Sequence, residues 1–233
     1  MTLGERIAEE LNVETVFSFD VPYLGTVGIS ESIVVTWIVM AILVLASFLL
    51  TRNLKVTNIS KRQAALELVI TKLQGLVSGA LGPNGGAYLD YLMTVLLYIG
   101  IANIMGVVGM KAPTKDLQVT IPLALMSIIL VQTSCIKHRG VKGWLKTFAS
   151  PSPVIVPIKI LELFTRPLSL CMRLFGNVLG SFVIMELLNN TVRVAIPGLF
   201  GIYFDIFDGF IQAYVFVFLT GLFISEGLET EEE

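Results

Sequence analysis

Residues 167–185 read PLSLCMRLFGNVLGSFVIM, and Arg173 is the single charge among them. A guanidinium stays protonated under all ordinary conditions. Held among lipid tails it costs on the order of 2.5–3.5 kcal/mol on insertion scales, and more by other estimates. A cost of that size calls for a compensating partner or a function. Helical periodicity then picks out the polar side chains around it. Asn177 follows at i+4, so it neighbours the arginine. Glu162 precedes Arg173 by eleven residues and returns to nearly the same face, roughly 16 Å away. Glu186 lies toward the other end, on a different face. In the last apolar stretch Asp205, Asp208 and Gln212 fall on one side, and Glu226 continues it.

A carboxyl group in a partly dry site holds its proton more tightly than in water, so it exchanges protons nearer neutral pH. A row of such groups makes an ion path. Arg173 cannot relay protons, but it can block their straight passage and attract a carboxylate on a partner. The pattern suggests two offset aqueous routes with a positive barrier between them. Plainer readings stand beside this one. Glu162 equally fits a pair with Arg166 at i+4 on the membrane surface. Glu186 fits a side chain snorkelling to headgroups. Asp205 and Asp208 follow Pro197-Gly198 and also suit an interfacial loop. Asn177 and Gln212 suit hydrogen bonds between helices, and Gly176, Gly180 and Ser181 suit close helix packing. Arg173 is too central to snorkel easily.

The elements that must position these residues are apolar and long. The chain is 55% apolar and 15% charged, against roughly 45–50% and about 25% in soluble domains. Residues 32–51, 91–110 and 117–136 carry no charge, and each matches the ~20 residues that cross a bilayer as a helix. Two further stretches, 154–188 and 199–225, hold the polar residues named above. These features predict an all-α integral membrane protein with five membrane-crossing helices and one amphipathic interfacial helix. In the latter, Leu66, Val69, Ile70, Leu73, Leu76, Val77, Ala80 and Leu81 recur at helical spacing, opposite Glu67, Lys72 and Gln74.

The expected organisation is an acidic segment over 1–31, a first span over 32–51, and a loop with the interfacial helix over 52–87. A transmembrane hairpin over 88–136 and a basic segment over 137–156 follow. Two long helices forming the ion path occupy 157–226, and an acidic tail occupies 227–233. Basic residues cluster at Arg52, Lys55, Lys61, Arg62 and Lys72, and again at Lys137, Arg139, Lys142 and Lys146. The positive-inside rule puts both clusters in the cytoplasm, the N-terminus outside and the C-terminus in the cytoplasm. The first thirty residues lack the pattern of a cleavable leader, so the first span is expected to target the chain.

Cys135 and Cys171 lie in apolar runs and read as small buried hydrophobes. His138, the one histidine, lies in a basic loop, and no nucleophile–base or metal-ligand constellation accompanies it. No phosphate-binding GxxxxGK[ST] motif occurs. No catalytic residue, cofactor, metal or nucleic-acid partner is assigned. The absence of matching halves argues against an inverted-repeat transporter.

The segment RPLSLCMRLFGN (166–177) closely resembles the signature of subunit a of bacterial rotary F-type ATP synthases. APTKDLQVTIPLAL (112–125) looks like that family's loop into its third crossing, and IQAYVFVFLTGLF (211–223) like its last helix. The resemblance covers more than the C-terminal half; the N-terminal third matches mainly in layout. It implies a non-catalytic ion-translocating stator in a bacterial inner membrane, with its last two helices tilted against a rotating ring of c subunits. Arg173 would face the ring carboxylates as the barrier between two half-channels for protons or sodium ions. Asn177, Gln212, Asp205 and Glu162 match polar positions of the family's channel, with Glu162 on the cytoplasmic side. Peripheral-stalk b subunits and the remaining synthase subunits are the other implied partners. Many members carry a carboxylate or histidine five residues after the motif asparagine; here that position is Phe182. Either Glu186 or Asp205 and Asp208 would then supply the outer acidity. The rival reading is a stand-alone membrane ion or solute transporter.

Overall fold

The computed structural model describes residues 15–21, 25–56, 59–106, 110, 112–149, 155–191, 201 and 203–228. Strands β1 (Thr15–Val21) and β2 (Gly25–Ser30) come first. The helices are α1 (Glu31–Thr51), α2 (Lys61–Leu81), α3 (Leu89–Ile104), α4 (Leu117–Ala149), α5 (Val156–Thr191) and α6 (Gly209–Leu228). Short 3-10 turns at Gly86–Tyr88 and Pro113–Lys115 precede α3 and α4. A π-helical turn, Tyr203–Asp208, runs into α6. Among the described residues six helices are long and apolar enough to cross a membrane. The protein is an all-helical membrane protein apart from its N-terminal hairpin.

That hairpin is an addition to the expected fold. β1 and β2 pair antiparallel, with Phe17 opposite Ile29 and Phe19 opposite Val27. The alternation of Phe17, Phe19 and Val21 with Ser18 and Asp20 is the period-2 pattern of a strand. Residues 1–14, the Pro197-Gly198 pair and the tail beyond 228 lie outside the described residues, as do Pro151 and Pro153.

Helix α1 shows what its solvent is. Val44, Leu45, Phe48, Leu49 and Leu50 are all exposed. A helix half that is apolar all round and exposed suits hydrocarbon, where every backbone polar group must bond within its own helix. Helix α2 forms over the expected amphipathic stretch. Ser60 caps it by accepting from the Gln63 amide at 3.3 Å. Val77, Ala80 and Leu81 are buried, whereas Val69, Ile70 and Leu76 remain exposed. The apolar face is therefore wider than the stripe the chain covers, and by length and composition α2 counts among the six helices.

Helix α4 runs on where a basic segment is expected. It carries a break at Gly140, whose φ of 71° is in the left-handed region that glycine tolerates. Two hydrogen bonds cross the break: Arg139 Nη1 donates to Thr147 Oγ1 at 3.1 Å, and Trp144 Nε1 donates to Gln132 Oε1 at 2.9 Å. Trp144 is thus tied back to α4. Pro167 interrupts the α5 ladder without ending the helix.

The chain clusters into two compact units. The first comprises residues 1–43, 98–120 and 172–213. Its core holds Val35, Val39 and Met105, with Leu43, Tyr98, Ile101 and Met110 packed on them. The second comprises residues 44–97, 121–171 and 214–233. There Leu92, Leu170, Phe216 and Ile224 are fully buried. A Cβ on Gly221 would sit 3.0 Å from the Ala80 Cβ, so α6 approaches α2 closely at that glycine.

Candidate ion path

In the first unit α5 presents Arg173 outward. Its side is exposed, while Leu174 beside it is fully buried. Among the described residues Arg173 has no ion-pair partner. Gly176 and Gly180, one and two turns on, would meet nothing within 4 Å if each bore a Cβ. The arginine therefore stands beside a small-residue surface that no described residue fills. Asn177 is half-buried, and its carbonyl accepts from Ser181 Oγ at 3.0 Å.

Gln212 is 6% exposed, and its Nε2 is buried without a hydrogen-bond partner among the described residues. An unsatisfied buried amide is costly and calls for explanation. Asp205 and Asp208 both lie on the π-helical turn before α6, not in an irregular loop. π turns are rare and concentrate at functional sites. Asp208 is half-buried. Glu186 lies within α5; its side-chain surroundings and those of Asp205 are outside the described residues. At Phe182, the Lys115 ammonium lies 5.2 Å from the ring centroid. Phe182 is thus an aromatic face under a cation.

In the second unit Glu162 takes the paired arrangement. Arg166 Nη2 reaches Glu162 Oε1 at 2.6 Å and Glu226 Oε2 at 2.9 Å. Lys159 lies 3.7 Å from Glu162, and the Arg166 guanidinium stacks 4.6 Å from the Phe223 ring centroid. A cavity of about 90 Å³ opens among Gln132, Trp144, Lys159, Glu162, Arg166 and Glu226. Its wall is mostly apolar, with Leu163, Phe148 and Phe223 beside these polar side chains.

Two groups of residues were missed by spacing alone. Glu226 pairs with a residue sixty positions away, which no local periodicity shows. Asn103 donates to the Gly209 carbonyl at 2.9 Å and accepts from Thr114 Oγ1 at 2.7 Å. The available signal for Asn103 was an amide alone in the apolar run 91–110. Cys135 and Cys171 are both buried, and neither is in a disulfide.

Residues 33–225 match the family described as ATP synthase A chain. The chain belongs to that family. Its similarity to individual members extends over most of each sequence. It is 34% identical to ATP synthase subunit a 1 of Hahella chejuensis over 214 residues, covering 91% of this chain and 89% of the relative. ATP synthase subunit a 2 of Bradyrhizobium sp. is 34% identical over 87% of this chain and 90% of its own length. ATP synthase subunit a of Moorella thermoacetica is 33% identical over 87% of this chain and 93% of its own. As a member, the chain is an ion-translocating stator subunit of the F-type ATP synthase, a multi-pass membrane component of that complex. The family match does not favour a stand-alone transporter.

Proposed function

We propose that Arg173 is the electrostatic barrier between two offset half-channels and faces the ion-binding carboxylates of a c-subunit ring. The observation that carries this reading is the exposed, unpaired guanidinium among the described residues, beside the open positions of Gly176 and Gly180. A membrane arginine with no ion-pair partner among the described residues is well placed to take one from a neighbouring subunit. At about 4 Å and an effective dielectric near 20, its attraction for a carboxylate is about 4 kcal/mol. That holds a passing carboxylate charged and makes it give up its ion.

An ion, proton or sodium, enters from the outer side past Glu186, Asp205 and Asp208. It neutralises a ring carboxylate, which then turns away through lipid. After nearly a full revolution the carboxylate meets Arg173 again and releases the ion toward Glu162 and the cytoplasm. Asn177 and Gln212 supply polar groups along the route; the open Gln212 Nε2 supports a contact with water or with the ring. The chain itself performs no catalytic step, and nucleotide chemistry belongs to the soluble head. Peripheral-stalk b subunits hold it against the ring's torque. The basic clusters support an N-terminus outside a bacterial inner membrane and a C-terminus in the cytoplasm. On this reading five helices cross, and α2 lies along the cytoplasmic interface.

Arg173→Ala in the complete complex tests the barrier. Ion-driven ATP synthesis in proteoliposomes should fall at least 100-fold while subunit composition is unchanged. Coupled synthesis at the normal rate would reject the role.

A further inference from the structure

We propose that Asn103, acting with Thr114, is a positioning residue for the outer ion path, because it fixes the π-helical turn that carries Asp205 and Asp208. This inference rests on the outer-channel role given to those two acids. The geometry is specific. Asn103 is 5% exposed, and its Nδ2 donates to the Gly209 carbonyl at 2.9 Å. Gly209 is the residue at which the π turn ends and α6 begins. A carbonyl only accepts, so the amide must turn its NH₂ toward Gly209. Its Oδ1 is then left to accept from Thr114 Oγ1, at 2.7 Å. A Cβ on Gly209 would lie 2.8 Å from the Asn103 Cβ, so glycine is what lets the amide reach this backbone.

The hold is anchored in turn. Thr114 is 1% exposed within the 3-10 turn Pro113–Lys115. The next residue, Asp116, caps α4 by accepting from the Gln118 amide at 2.8 Å, and it accepts from Ser30 Oγ at 3.1 Å. Chain from before α1, the end of α3, the turn before α4 and the start of α6 are thereby joined by buried polar contacts.

The register of the π turn gives this joint its consequence. A π turn contains one residue more than an α turn over the same span. If it relaxed to α geometry, the side chains before it would rotate by about 100° relative to α6. In α register Asp205, seven residues before Gln212, would fall on that residue's side; the π register turns its position away from there. Asn103, bonded at the junction, sets the face on which the acids stand without itself touching the ion.

The test measures ATP synthesis by the complete complex in proteoliposomes while the ion concentration on each side is varied separately. Asn103→Asp keeps the shape and sets an acceptor against the Gly209 carbonyl. It should raise the outer half-saturating ion concentration on the order of tenfold, the size of effect seen when a supporting contact to a ligand is lost, and leave the inner dependence unchanged. Thr114→Val should shift the same parameter less, and Thr114→Ser should recover most of what Thr114→Val loses. An assembled Asn103→Asp complex with unchanged outer half-saturation overturns the inference. Should that variant not assemble, Thr114→Val decides on the same parameter. Asp205→Asn and Asp208→Asn separate the two levels. If they move the outer dependence and neither Asn103→Asp nor Thr114→Val does, the positioning role alone fails. If the acid variants leave it unmoved, the outer-path reading fails and the inference goes with it.

Discussion

Arg166 and Arg173 stand seven residues apart on one helix and live in opposite circumstances. Arg166 lies in the second unit, held by Glu162 and Glu226 and laid against Phe223. Arg173 lies in the first unit, exposed, with no ion-pair partner among the described residues. A cation with its counterions in place is already stabilised and has little left to give a visitor. A cation without them, in an apolar surface, is a strong and unspent attraction for a passing acid. The contrast separates a paired charge from the one proposed to work on the ring by their contacts, not by residue type.

The sharpest way to break the comparison is to exchange the circumstances. Removing the unpaired cation with Arg173→Ala has the largest expected effect, a fall of at least 100-fold in ion-driven synthesis. Next come the acids assigned to its outer side. Glu186→Gln and Asp205→Asn should each slow ion flow several-fold, read as the initial rate of ion uptake at low outer ion concentration. If both leave coupled pumping unchanged, the outer assignment is wrong. Removing the paired cation should act mainly on stability. Arg166→Gln leaves Glu162 and Glu226 facing one another, and the loss of charge-assisted hydrogen bonds costs about 2 kcal/mol. A lower thermal-inactivation midpoint with synthesis reduced no more than a few-fold is the expected result. Synthesis abolished to the level of Arg173→Ala would erase the distinction between the two arginines. The smallest effect belongs to Glu226→Gln. Its side chain is 53% exposed, so losing the pair should cost under about 1 kcal/mol. A double-mutant cycle with Arg166→Gln measures it.

How much of this was legible depended on how far apart the partners are in sequence. Arg173 announced itself because a lone charge in an apolar run is visible without any fold. The membrane class followed from the uncharged runs for the same reason. Glu162 stayed ambiguous because i+4 spacing fits both a pair and a path, and the contact with Arg166 shows that the pair exists. Glu226 could not be assigned to Arg166, since that contact is made only by folding. The hairpin at Thr15–Ser30 carries a strand pattern within the segment over 1–31 that its charge marks only as acidic and outside. Gly140 is a different case. The charges mark a basic segment over 137–156, and the helix continues into it after one left-handed residue. The π turn had no sequence signature at all, and the contact that Asn103 makes at its end, with Gly209, joins residues 106 positions apart.

The central claim concerns what happens when the barrier is absent, and one paired measurement tests it most directly. Ion flux and ATP synthesis are followed together in proteoliposomes bearing the assembled Arg173→Ala complex. The account predicts that synthesis vanishes while ions still leak between the two half-channels down their gradient. Tight coupling, with ATP made in normal proportion to ions moved, would contradict it.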